Sequence, residues 1–317
     1  NSTGSNNVAV GMEAMLQNTT GVNNVAVGYG SLENNTTGET NVAIGRDALE
    51  ATTGNGNTAV GFEAGKANTS GQIIFMGYQT GAANTTGTRN IAIGGNAYDS
   101  SDTEDDNIAI GHNAMTANSS GGTKNIAIGN YAGDAISSGD ANILVGYAAG
   151  GAINTGINNV AIGDDALKTG HSARDNVVIG YRAGDAITTA EGATLIGSGA
   201  GGALTTAGST TCIGYNAGGS ISSPTGNVCI NHDAGGGITT GTHNICIGFR
   251  AGKQGTAIVD GTQNIMIGTD SRPSATDSSN NICIGYAVVS GAANTFTFGD
   301  AGNDSAVQFG ATSISAP

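Results

Sequence analysis

The block Asn24-Val25-Ala26-Val27-Gly28 returns along this chain at an almost fixed interval, and that interval constrains the fold more than any other feature. Its closing residue falls at Gly11, Gly28, Gly45, Gly61, Gly77, Gly94, Gly111, Gly129, Gly146, Gly163, Gly180, Gly197, Gly214, Asn231, Gly248, Gly268 and Gly285. Nearly every step is 17 residues, with two of 16 and single steps of 18 and 20. A period this strict is the mark of stacked repeats, each one turn of a solenoid that buries its apolar face only against its neighbours. A solenoid grows along one dimension, so a length of 317 residues does not call for a second core here.

The block reads as a strand. Its second and fourth positions are aliphatic and mostly β-branched (Val25 and Val27, Val42 and Ile44, Ile91 and Ile93), with Thr58, Thr194 and Thr211 entering the second, and their separation by two puts them on one face. The central position points the other way. It is Ala in eight coils, among them Ala26, Ala43, Ala92 and Ala109, and elsewhere Phe75, Leu144, Val178, Leu195, Cys212, Cys229, Cys246, Met266 or Cys283. No charged residue enters any block. A strand wet on one side alternates apolar with polar, whereas one covered on both sides reads as this one does. One face must fill the coil and the other must meet something else. The expectation is that the second and fourth positions fill the coil, while the Ala, Leu, Val, Cys and Met face becomes an interface between copies of the chain.

The glycine is followed by a corner, often aromatic, then by an arm such as Asn18-Thr19-Thr20-Gly21. From Ile136 onward the arm more often reads Ile-Ser/Thr-Ser/Thr-Gly, which predicts a short second strand with an inward aliphatic residue where the corner gains glycine. The asparagine opening most blocks forms a column, and stacked amides hydrogen-bond along such a ladder without any ligand. Regularity fails near the C-terminal end. After Gly285 come two shrunken copies with Phe296, Phe298 and Phe309 in the aliphatic phases. The domain reading is therefore a repetitive shaft over 1–290 and a tapering cap over 291–317.

Composition removes several classes of function. A net charge of −14 leaves no basic excess to neutralise phosphates, so no nucleic-acid partner is expected. Apolar runs of four or five residues are too short for a transmembrane helix, so no membrane insertion is expected. The chain opens at Asn1 with neither an initiator methionine nor a signal segment, which reads as a fragment or a processed product.

The blocks Asn24-Val-Ala-Val-Gly-Tyr29, Asn18-Thr-Thr-Gly21 and Asn35-Thr-Thr-Gly38 resemble the repeats of phage tail-fibre proteins. They are also similar to the shorter-period repeats in the head domains of trimeric autotransporter adhesins. The resemblance implies an all-β fold, a homotrimer of parallel β-solenoid or β-roll coils, in a virion tail fibre or at a cell surface. It implies a structural role in host attachment, with a cell-surface receptor, such as a glycan, as partner. A bacterial surface adhesin or a self-assembling extracellular filament is the alternative. Ala301 to Pro317 lack the Ser-Lys signature of the self-cleaving chaperone domain that ends many such fibres.

Other candidate sites are each weighed against a plainer role. The corner column Tyr29, Phe62, Tyr78, Tyr147, Tyr181, Tyr215, Phe249 and Tyr286 reads as a sugar-binding strip or as staples shielding the coil edge. Cys212, Cys229, Cys246 and Cys283 share one phase and lack the close C-x-x-C pairing zinc favours, so they read as small apolar residues in a buried layer. Asp102, Glu104, Asp105 and Asp106, and the pair Asp164 and Asp165, lie in turns without calcium-loop spacing, and solvated acidic loops are expected. His112, His171, His232 and His243 stand in different coils, and no catalytic triad is arguable. No enzyme, metal or cofactor is expected. An ice-binding solenoid would need regular threonine columns on a flat strand face, whereas the Thr-Thr pairs here lie beside glycine corners.

Overall fold

The computed structural model describes residues 3–118, 120–206, 208–302 and 304–308, the last without its side chain. Residue 303 and residues 309–317 of the expected cap, Phe309 among them, lie outside the described residues. The chain is a parallel β-solenoid of about 17 turns at 17 residues per coil, with no helices among the described residues. It divides into two compact units, Asn1–Asn158 and Asn159–Pro317. In the first, three-residue strands run from β1 (Val8–Val10) and β2 (Val25–Val27) through β6 (Ile91–Ile93) to β9 (Ile143–Val145). Each pairs in parallel with the next, like on like: Val25 beside Val42, Ala26 beside Ala43, Val27 beside Ile44. The second holds β10 (Val160–Ile162) through β16 (Ile265–Ile267), then the longer β17 (Ile282–Tyr286), β18 (Thr295–Asp300) and β19 (Ser305–Gln308). β18 continues the parallel ladder on β17, and β19 turns back antiparallel along it.

The arms are turns, not the second strand that the Ile-Ser/Thr-Ser/Thr-Gly pattern predicts. The N–H groups of Ser137, Ser138 and Gly139 all converge on the Asn154 carbonyl, at 3.1, 3.2 and 3.1 Å. Three donors on one acceptor curl the backbone, where a ladder would spread them along an extended edge. Outside the named strands, only the bridges Arg174–Glu191 and Arg272–Val289 pair in the parallel sense among the described residues.

The two faces of the strand are the reverse of the expectation. Ala26, Ala43, Ala92, Ala109, Leu144, Val178, Leu195, Cys212, Cys229, Cys246, Met266 and Cys283 are all fully buried within the chain itself. They fill the coil and offer no atom to a second copy. The flanking aliphatics face outward and are half-buried or exposed, Ile44 at 40% and Ile93 at 36%. The reason is space: the interior of one coil is shared by the central strand residue, one corner residue and one arm residue. Where the strand gives Ala26 or Ala43, the corner gives Leu32 or Leu49. Where the strand gives Leu144 or Leu195, the corner gives Gly150 or Gly201, and a methyl group there would stand 2.7 Å from the leucine Cδ2. The corner backbone is left-handed in both cases, at φ 52° for Leu32 and 59° for Gly150. A leucine at this corner bears about 1–2 kcal/mol of backbone strain, offset by about 1.5–3 kcal/mol from burying its side chain.

The asparagine ladder takes a specific form. Asn125 Oδ1 accepts the main-chain N–H of Asn142 at 3.0 Å, and its Nδ2 donates to the Gly139 carbonyl at 2.8 Å. In the second unit, Asn244 Oδ1 likewise accepts from Asn264 N at 3.0 Å. These side chains are fully buried, so each amide ties adjacent coils together where water cannot substitute. Replacing Asn125 with Leu strands one donor and one acceptor, and should destabilise the first unit by about 2–4 kcal/mol. Amide hydrogen exchange at Asn142 measures it: protection there should fall while that at Ala26 is retained.

Candidate interaction surfaces

Three surfaces emerge from this packing. The first is the outward stripe of the strands. Val25, Val27, Val42, Ile44, Ile91 and Ile93 stand in columns in the first unit, and Val160, Ile162, Val177 and Ile179 do so in the second. Parallel register keeps the columns aliphatic over most coils, with Thr58 entering in the first unit and Thr194 and Thr211 in the second. No charged side chain interrupts β1 to β17, and in β18, which ends at Asp300, Phe296 and Phe298 take the same outward phase beside Ile282 and Ile284. Contiguous exposed apolar surface of this kind marks an association site more often than a free face.

The second surface is the corner column. Tyr29, Tyr78, Tyr147, Tyr181, Tyr215 and Tyr286 are each at least 40% exposed, and Phe249 is 37% exposed. Ring contacts join parts of the column. Phe62 and Tyr78 lie 5.3 Å apart with planes at 9°. Tyr131, one position further on, stands edge-on to Tyr147 at 5.8 Å and to His112 at 5.7 Å. The column also has members that an aromatic count overlooks. The Arg46 guanidinium sits 5.6 Å from both the Tyr29 and Phe62 rings, and the His232 imidazole lies 4.9 Å from Tyr215 and 5.2 Å from Phe249. Both follow the closing residue of a block, as the tyrosines do, so repeat phase was the signal that could have found them.

The acidic turn is the third, and it is consumed internally. Arg89 holds Asp106 at 2.5 Å and Asp105 at 3.4 Å. Glu104 is buried, against the expectation of a solvated loop: its carboxylate collects the N–H groups of Asp102, Thr103 and Gly121 at 3.0–3.1 Å. Three donated hydrogen bonds stand in for water. Asp165 is bound to Lys168 at 2.9 Å.

All four cysteines are free and buried. The Cys212 thiol is pushed well above its ordinary pKa by its hydrogen bond to Cys229 and by burial, and burial pushes Cys283 up to about 12. Thiols held protonated are poor nucleophiles and poor metal ligands. Among the described residues, no three His, Cys, Asp or Glu side chains converge on a metal-sized site. The threonine hydroxyls of the arms are directed along the stack. Thr69 Oγ1 donates to the Thr85 carbonyl and Thr85 Oγ1 to that of Asp102, both at 2.9 Å. Donors committed in this way do not present the outward hydroxyl lattice an ice surface requires. Among the described residues no helix is long and apolar enough to cross a membrane.

No protein-family model, curated protein or solved structure matches the chain.

Proposed function

We propose that this chain is the non-catalytic shaft of a fibre, that it assembles as a homotrimer, and that it serves host attachment as part of a phage tail fibre. The observation that carries the reading is the outward stripe of valine and isoleucine, broken by threonine only at Thr58, Thr194 and Thr211 and by methionine at Met76 in β1 to β17. A single coil has no second layer with which to cover it, and further copies of the same chain cover it with matching columns. Stiffness then follows from the repeat, since within each unit coil is hydrogen-bonded to coil along strand, corner and arm. Carrying a receptor-binding element away from a particle calls for that property. A bacterial surface adhesin or a self-assembling filament uses the same architecture.

Mass in solution tests it, by light scattering on undenatured protein. Three chains are expected. The double variant Ile44→Glu, Ile93→Glu puts two carboxylates per chain into the proposed interface, where desolvating each costs several kcal/mol. It should run as a folded monomer with an unchanged circular-dichroism spectrum. A monodisperse wild-type monomer overturns the assembly, and open-ended polymers move the filament reading to first place.

A further inference from the structure

In the second unit the corner column has a gap. Tyr215, His232 and Phe249 form a filled stack in which the imidazole occupies the slot between two rings standing two coils apart. One step back, Tyr181 and Tyr215 bound the same kind of slot, but the coil between them contributes Ser198. At one strand spacing per coil, the two tyrosines lie about 9.6 Å apart. A ring placed midway would sit about 4.8 Å from each, inside the ordinary range for stacked rings and close to the 4.9 and 5.2 Å that His232 achieves. The slot is a notch of about 310 Å³, at the lower end of the size of small-molecule sites. Both tyrosines are more than half exposed, at 55% and 57%.

The lining selects among flat occupants. Arg182 and Asp185 flank the notch as an ion pair, with both Nε and Nη2 of the arginine 2.9 Å from Asp185 Oδ2, and Asn216 joins them. A planar cation would meet a carboxylate already neutralised by Arg182. An aromatic side chain would cover the Ser198 hydroxyl and the pair without hydrogen-bonding either, and desolvated polar groups left in that state are costly. A sugar ring fits both halves. Its C–H faces lie on the tyrosines, while its edge presents hydroxyls that donate and accept beside a guanidinium, a carboxylate and an amide. We propose that the notch between Tyr181 and Tyr215, floored by Ser198, binds one pyranose ring of a neutral glycan. The site lies on the flank of the shaft, and its biological meaning rests on the attachment reading above.

Saturation-transfer NMR on the intact assembled protein tests it, with methyl hexopyranosides and neutral oligosaccharides as probes and with imidazole and arginine amide as planar controls. The expected result is saturation of the ring C–H protons of at least one pyranoside, and an affinity about tenfold weaker in Tyr181→Ala or Tyr215→Ala, the loss of one stacking wall. Ser198→His is the decisive variant. It places an imidazole where His232 stands in the neighbouring slot, so it should abolish binding while leaving the melting temperature and the mass in solution unchanged. The site is overturned if the wild type saturates no pyranoside, if Ser198→His binds as before, or if imidazole or arginine amide binds in preference. A trimer that binds no sugar removes this site alone. A monomer that binds sugar removes the assembly alone.

Discussion

Gly94→Ala should destabilise the first unit by roughly 3–5 kcal/mol, whereas Gly95→Ala, one residue on, should leave stability unchanged or raise it by up to about 1 kcal/mol. Gly94 closes its block at φ 132°, a conformation L-residues rarely adopt. A β-carbon there would lie 2.5 Å from the carbonyl oxygen of Gly111 in the next coil, nearer than real β-carbons approach. The coils would have to part, straining the bonds from Gly94 N to the Met76 carbonyl and from Gly111 N to the Ile93 carbonyl, both 2.8 Å. Gly95 has no left-handed backbone, and its added β-carbon would meet His112 Nδ1 at 3.5 Å, an ordinary contact. Urea melts of the two variants make the comparison. Equal stability would mean that the glycine column is not set by close approach between coils.

That column explains why so much of the fold is legible in the sequence. Each coil must return to the same place, so the residue types demanded by backbone geometry recur at the same phase. The strands, their register and the asparagine ladder all follow from that recurrence. The inside and outside of the strand do not. Alternation separates Val25 and Val27 from Ala26 but does not say which face is inward, because both are apolar. Co-variation within the chain decides it. The central residue trades volume with the corner, Ala26 with Leu32 against Leu144 with Gly150, and where Ala127 faces Gly133 the arm residue Ile136 and the next coil's Leu144 fill the space. Residues that compensate one another share a space, and that space is the coil interior. The notch at Ser198 was hidden for a related reason: a list of aromatic positions records what is present in the column and passes over the position where a ring is missing.

The same compensation gives the second large effect. Gly150→Leu should cost about 3–5 kcal/mol, from overpacking together with left-handed strain. Its β-carbon alone would come within 2.7 Å of Leu144 Cδ2 and 2.8 Å of Ile153 Cδ1. The triple variant Leu144→Ala, Gly150→Leu, Ile153→Asn rebuilds this coil on the pattern of Ala26, Leu32 and Asn35. There, Asn35 Nδ2 donates to the Gly38 carbonyl three residues on at 3.1 Å, and Gly156 stands in the corresponding place after residue 153. The rebuilt coil should recover the overpacking and retain about 1–2 kcal/mol of strain, the share that Leu32 and Leu49 already bear. Thermal melts of the single and triple variants, with hydrogen exchange at Leu144 or its replacement, measure the difference. Strong non-additivity is expected because the three side chains occupy one volume. A triple variant no more stable than Gly150→Leu alone would show that the residues are fixed by their neighbouring coils and not by one another.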